Sequence, residues 1–334
     1  MDLLTELLQD AGLVRRVFDQ HRLGGDRALR FPCDRSVGFH VVLDGVVYVH
    51  APALDEPLRL EAGDIAVMGR GCVHVLSTSP SPDALPIESI PVDPALRSNF
   101  ADAADGGRDG PVKVVSGAYQ LWNAPLHPFF AELPPWFVLR GERAPGLDPL
   151  GLTIAMLADE TRHNALGRQT VVHGLLDVLF TLLMRELVAR RGETGTGWSH
   201  AVQDPQVRQA VAHMHEDPAR AWTLETLASE VGLSRSVLAE RFRETMDETP
   251  LAYLRVVRLQ RAMRLLVESD RTLEQVASAV GYQDAFGFSK AFKRAVGASP
   301  GEYRRRDAAE RNVPWRFQAN QGLARAVGAT NVDA

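Results

Sequence analysis

The chain has 334 residues, 45% of them hydrophobic and 24% charged, with a formal net charge of −5. That length accommodates two or three domains, each able to bury a core. No apolar run approaches the roughly 20 residues of a membrane-spanning helix, and the opening MDLLTELLQDAG is acidic where a signal peptide is basic, so a cytoplasmic protein is expected.

Asp2 to Phe18 carries apolar residues at 3, 4, 7, 8, 13, 14, 17 and 18, a near-helical period interrupted at Gly12, which predicts one or two short helices. The texture then changes to strand-like runs, FHVVL, VVYVH, IAVM and VHVL, with Asp44-Gly45 as a hairpin signal between the first two. Several short strands at close intervals point to a small antiparallel barrel or sandwich. Ser79 to Pro111, with DAADGGRDG at its centre, reads as an exposed loop. VKVVSGAYQLW restores a strand pattern, and the paired prolines of HPFFAELPPWFVL argue against a long helix there.

Two helices are expected next, Pro149 to Thr161 and Gln169 to Arg191. The second has Val172, Leu175, Leu176, Leu179, Leu182, Leu183 and Leu187 on one broad face. That face either packs on its own barrel or forms a subunit interface. GETGTGWSH, residues 192–200, has linker composition. Beyond it Asp204-Pro205 and Thr249-Pro250 are N-cap and N1 pairs that start helices, the second running to about Glu268.

That second helix separates two copies of one unit. TLETLASEVG from Thr223 recurs as TLEQVASAVG from Thr272; after one inserted residue Phe242, Pro250 and Tyr253 recur as Phe292, Pro300 and Tyr303. In each copy an apolar helical stripe ends at Gly232 or Gly281, a position suited to a left-handed residue. Ser234 or Asp284 then caps a second helix. Helix, glycine turn and helix describe a helix-turn-helix, whose second member enters the DNA major groove. From Gln203 to Arg311 there are 17 Lys+Arg against 16 Asp+Glu, so the acidity lies elsewhere and basic residues act here through arrangement rather than net charge.

With LASEVGLSRSVLAERF, RLQRAMRLL and VASAVGYQDAFGFSKAFKRAVGASPGEYRR, this segment resembles the AraC/XylS family of bacterial transcription regulators over about a third of the chain. FHVVLDG and LRLEAGDIAVMGRGCVHVL resemble the cupin-type sensor domain of one branch of that family, with Gly69 where a proline is usual and no His-x-His pair before Gly45. The resemblance implies an α+β chain: an N-terminal cupin-like antiparallel β-barrel with flanking helices, plus a C-terminal all-α domain of two helix-turn-helix units joined by a long helix. Residues 1–191 are then the effector-sensing and dimerisation domain, 192–203 the linker, 204–311 the DNA-binding domain and 312–334 a disordered tail.

For double-stranded DNA the family pattern puts base readers at Ser236, Ala239, Glu240 and Arg243 in the first unit and at Ala285, Gly287 and Lys290 in the second. Arg235, Arg241, Lys293, Arg294 and Arg304 fall to the phosphates. The first recognition helix, with mixed charge, suits discrimination; the second, with lysines beside small residues, suits grip on the backbone. In the sensor domain His40, His74, Cys33 and Cys72 are the reactive groups. Four readings stand open for them: polar contacts to an organic effector, ligands of a metal (His40 and His74), a redox pair, or inert buried side chains. The expected protein is a non-enzymatic transcription regulator, a homodimer responding to a small-molecule, metal or redox signal and touching RNA polymerase if it is an activator. The alternative is a cupin metalloenzyme fused to a DNA-binding domain, which requires at least three good ligands.

Overall fold

A computed structural model describes residues 2–11, 16–33, 36–90, 112–120, 126–141, 148–162, 165–192 and 197–310. Helix α1 (Leu3–Asp10) opens the chain, with Asp2 accepting from the Leu4 amide as its cap. Strands β1 (Arg16–Leu23), β2 (Ala28–Pro32), β3 (Ser36–Asp44), β4 (Val46–His50), β5 (Leu58–Glu61), β6 (Ile65–Met68), β7 (Val73–Ser77), β8 (Ile87–Ser89), β9 (Val112–Gln120) and β10 (Phe137–Leu139) build two five-stranded sheets. Their orders are β1-β9-β3-β6-β10 and β5-β4-β7-β2-β8. The helix expected through Phe18 therefore stops at Asp10. Val17 and Phe18 lie in β1, held by an eight-position antiparallel register against β9 that overrides local periodicity. The sheets are antiparallel except at β2 and β8, which pair in parallel.

The first sheet is buried on both faces, and alternation along its strands sorts the side chains. Val37, Phe39, Val41, Ile65, Val67 and Val115 face the helices, whereas Val42, Ala66, Met68, Val112 and Val114 meet Leu29, Phe31, Val47, Val49 and Leu60 of the second sheet. The expected cupin-like β domain is thus present as two facing sheets that, among the described residues, do not close into a barrel, with His40 and Ser116 on the inner side. Gly69 has a local reason for being glycine. A Cβ there would sit 2.4 Å from the Pro134 carbonyl oxygen, and its own amide donates to the Pro135 carbonyl at 3.1 Å, a bond that proline cannot make.

The helices follow as α2 (Pro128–Ala131), α3 (Pro149–Arg162) and α4 (Arg168–Gly192). Val172, Leu176, Leu179, Leu183 and Leu187 of α4 are buried within the chain, so the face offered for either role is used for internal packing. The last part of the stretch with linker composition is also structured. α5 (Trp198–Ala201) is a buried helical turn, and Trp198 donates its amide to Glu132 at 2.6 Å. Its indole is apolar bulk that outweighs the surrounding Gly, Ser and Thr. Residues 193–196 and the expected tail 312–334 lie outside the described residues, as do 91–111 of the expected loop.

The C-terminal domain comprises α6 (Pro205–Glu216), α7 (Leu224–Glu230), α8 (Arg235–Met246), α9 (Pro250–Glu268), α10 (Leu273–Ala279), α11 (Ala285–Val296) and α12 (Pro300–Glu310). Asp204, Ser234, Thr249 and Asp284 are the N-caps expected of them, and Thr223 and Thr272 close capping boxes with Thr226 and Gln275. Gly232 and Gly281 adopt φ of 70° and 79°, the left-handed turns between the members of each unit. The apolar core of the sensor sheet and its helices continues into the first unit through Leu227, Leu238, Phe242 and Tyr253, while the second unit closes a separate core around Phe288 and Phe292.

Candidate nucleic-acid interface and sensor cluster

The two helices expected to act as recognition helices are α8 and α11. Each buries large apolar side chains against its own unit, Leu238 and Phe242 in one and Phe288 and Phe292 in the other, so the opposite face is outermost. On α8 that face carries Arg235, Ser236, Glu240 and Arg243, all exposed, with Ala239 half-buried. On α11 it carries Lys290, Lys293 and Arg294, exposed, and Ala285 and Gly287, half-buried. Asp284 takes the Gly287 amide at 2.6 Å, which leaves a short, small-residue approach at the start of α11.

Two residues expected at the phosphates also have partners inside the chain. Arg241 extends to Asp204 at 3.3 Å and Gln206 at 3.0 Å, tying α8 to the start of α6. Arg304 donates to the carbonyls of Leu266 at 3.0 Å and Arg271 at 2.6 Å, which caps the end of α9. Both belong to basic clusters by sequence, and only the fold reveals the carbonyl and carboxylate partners behind them.

In the N-terminal domain His40 and His74 meet between the sheets. Their Nε2 atoms are 2.7 Å apart, His40 Nδ1 is 2.7 Å from Ser116 Oγ, and His74 Nδ1 is 2.9 Å from the Cys72 carbonyl oxygen. A carbonyl only accepts, so His74 Nδ1 carries a proton and its Nε2 accepts from His40 Nε2–H; His40 Nδ1 then accepts from the Ser116 hydroxyl. One chain of donors thus runs from Ser116 to Cys72, in which each neutral ring has both nitrogens engaged. Burial, reinforced by His74 and His21, holds the His40 pKa well below the usual imidazole range; burial lowers His74 to about 4. Phe31 stacks on His74 with centroids 5.2 Å apart, and Trp136 closes on it edge-on at 5.0 Å.

Sequence reading found the two histidines but missed Ser116, Phe31 and Trp136. The β3–β9 and β2–β7 registers, which set His40 opposite Ser116 and Phe31 opposite His74, bring the first two there. The same β2–β7 register ends at Pro32 opposite Val73, and Cys33 and Cys72, both half-buried, are the residues just past that end in each strand. Among the described residues no three His, Cys, Asp or Glu side chains are grouped to hold a metal ion. The two histidines, with the His74 lone pair accepting from His40 and the His40 lone pair accepting from Ser116, do not fit a resident metal centre, which takes three or four ligands.

A second buried polar cluster joins the two domains. Tyr253 of α9 is fully buried, and its hydroxyl lies 2.9 Å from His127 Nε2, 2.9 Å from Trp198 Nε1 and 2.8 Å from His215 Nε2. His127 Nδ1 accepts from the Phe129 amide at 3.2 Å, so its Nε2 holds the proton and donates to Tyr253, as does Trp198. The hydroxyl proton is left for His215. Two turns along α9, Arg261 and Arg264 each reach Asp10 Oδ1 at 3.0 Å at the end of α1.

A cupin family model matches residues 2–189, and a helix-turn-helix domain model matches residues 227–306. A putative AraC-like transcription regulator from Streptomyces lividans is 31% identical over 286 residues, 84% of this chain and 91% of its own length. The chain belongs to the AraC-like transcription regulators. Another member, the HTH-type transcriptional regulator AlkR of Acinetobacter baylyi, is 27% identical over 91% of this chain and 99% of its own. Among solved structures, the DNA-binding domain of the global transcriptional factor AdpA in complex with a target DNA covers 32% of this chain and 96% of its own, at 32% identity and a TM-score of 0.30. By its family membership this AraC-like chain is a DNA-binding transcription regulator, and the relatives it matches are named as transcription regulators. Among the described residues no helix is long and apolar enough to cross a membrane.

Proposed function

We propose that this AraC-like chain is a sequence-specific regulator whose N-terminal domain senses a small-molecule, metal or redox signal and passes it to the recognition helices through α9. The contact of the sensor domain with α9 carries this reading: His127 and Trp198 at Tyr253, and Asp10 at Arg261 and Arg264, engage the helix that separates the two recognition units. A signal that alters the sensor domain biases the grip on α9 and shifts the population of DNA-competent molecules. Of the signal classes, an uncharged polar effector is favoured by the neutral Ser116–His40–His74 chain, while Cys33 and Cys72, just past the end of the β2–β7 register, are the groups a thiol oxidant would meet. The metalloenzyme alternative lacks support from the ligand set around His40 and His74.

Bases are read from Ser236, Ala239, Glu240 and Arg243 and from Ala285, Gly287 and Lys290, while Arg235, Lys293 and Arg294 hold phosphates. For a homodimer the available surface is the outer side of α3 and α4, where Leu152, Met156, Val171 and Val178 are exposed. An activator of this kind would also touch RNA polymerase. Selection of duplexes from a randomised library by the full-length protein is expected to yield two short half-sites about one turn, ~34 Å, apart, with affinity that falls steeply with salt. Recovery of all sequences alike would overturn sequence-specific regulation. Val178→Glu is expected to lower the mass measured by light scattering from dimer to monomer; an unchanged mass would remove this face from consideration.

A further inference from the structure

The second recognition helix carries a side chain that neither grip on phosphate nor internal packing uses. Phe286, the second residue of α11, is 81% exposed, whereas Phe288 and Phe292 of the same helix are fully buried. At about 100° per residue Phe286 lies roughly 160° around the helix from Phe288, and Lys290 and Lys293 fall within about 40° of it. It therefore heads the outward stripe that the two lysines continue. Position matters as well: the N-terminal residues of a recognition helix meet base edges, and later ones meet the backbone. In the repeat, Phe286 occupies the place that Ser236 holds in α8, itself a base-reading position.

An aromatic ring held out in water at the tip of a DNA-facing helix has one apolar partner in the major groove, the 5-methyl group of thymine. Its neighbours Ala285 and Gly287 are small enough to let the ring approach the groove floor. We infer that Phe286 is a specificity-determining residue of the second unit, reading thymine through its methyl group. The helix that looked suited to holding backbone then also discriminates bases, by apolar contact instead of hydrogen bonds. This rests on the DNA-binding reading and goes beyond it.

The test uses the full-length protein and a duplex it has itself selected from a randomised library. Each thymine in turn is replaced by deoxyuridine, which lacks only the methyl group. Wild-type affinity is expected to drop roughly three- to tenfold at one position or two adjacent ones, about the worth of one buried methyl group. Phe286→Ala is expected to bind the unmodified duplex more weakly by the same factor and to be indifferent to deoxyuridine at that position; Phe286→Leu is expected to keep part of the sensitivity. The slope of affinity against salt should be unchanged in Phe286→Ala and smaller by about one in Lys290→Ala. If deoxyuridine has no effect anywhere, or the same penalty persists in Phe286→Ala, thymine reading by Phe286 is wrong although DNA binding stands. Failure of the library to yield any enriched duplex would instead remove the underlying premise.

Discussion

Replacing Tyr253 by Phe deletes one oxygen and keeps the ring that packs against Phe242, with centroids 5.9 Å apart. The hydroxyl is saturated in the native structure, accepting from His127 and Trp198 and donating to His215, and all four residues are buried. In Tyr253→Phe two donors and one acceptor are left without their partner in a region where His215 Nδ1 already has none. At about 1 kcal/mol for each stranded neutral group, the low end of the range for buried unsatisfied atoms, the loss is about 3 kcal/mol. Two of the three bonds cross from the sensor domain and α5 to α9, so most of that loss falls on the junction between domains. Equilibrium urea unfolding of the full chain, followed by tryptophan emission and far-UV circular dichroism, measures it. The expected result is a lower midpoint by emission and separation of the two probes, as the domains uncouple before the helices melt. A change under about 0.5 kcal/mol with coincident probes would refute the claim that this hydroxyl joins the domains.

Acid should destabilise the protein well above the carboxylate range. His40 and His127 are held well below the usual imidazole value and His74 and His215 lie at about 4 and about 3, in every case chiefly by burial, so the unfolded chain, near 6.5, binds more protons. Their stabilisation is complete above about pH 6.5 and is lost as pH falls toward the folded values, with a limiting slope of about 5 kcal/mol per pH unit for four such groups. Urea midpoints that stay level between pH 6.5 and 5 would contradict this. Arg304→Gln is expected to cost about 1–2 kcal/mol by freeing the carbonyls at the end of α9, while leaving the salt slope of DNA binding unchanged; a slope smaller by one would return Arg304 to the phosphate contacts. Gly69→Ala should lower thermal stability by at least about 2 kcal/mol, since the added carbon must displace backbone rather than a flexible side chain, and a neutral outcome by calorimetry would show that the Leu133–Pro135 segment yields freely.

What the sequence disclosed was what is local or repeated. The caps at Asp204, Ser234, Thr249 and Asp284, the turns at Gly232 and Gly281 and the strands around Asp44-Gly45 each depend on a few adjacent residues, and the doubled unit supplied its own internal check. The strand at Arg16–Leu23 was hidden because its partner lies about a hundred residues away in β9, and doublets of apolar residues suit either period. The intrachain partners of Arg241 and Arg304 were not legible because a guanidinium beside other basic residues looks the same whether it awaits phosphate or caps a carbonyl. His127, Trp198, His215 and Tyr253 are spread over 127 positions and have no common motif; only the domain junction unites them. Phe286 was visible in the text, yet an aromatic residue two places from a core phenylalanine reads as core until its exposure is known.

The 19-residue length of α9 has a consequence for the operators this protein can use. Both recognition units are built onto the ends of one unbroken helix, and the sensor domain grips that helix at Tyr253, Arg261 and Arg264 without interrupting it. A signal acting as proposed would loosen or tighten the whole bar, but it would have no joint by which to lengthen it. Promoters bound in the induced and uninduced conditions should differ in occupancy while sharing one invariant gap between their two half-sites, and an insertion of half a helical turn into that gap should silence a promoter whatever the signal.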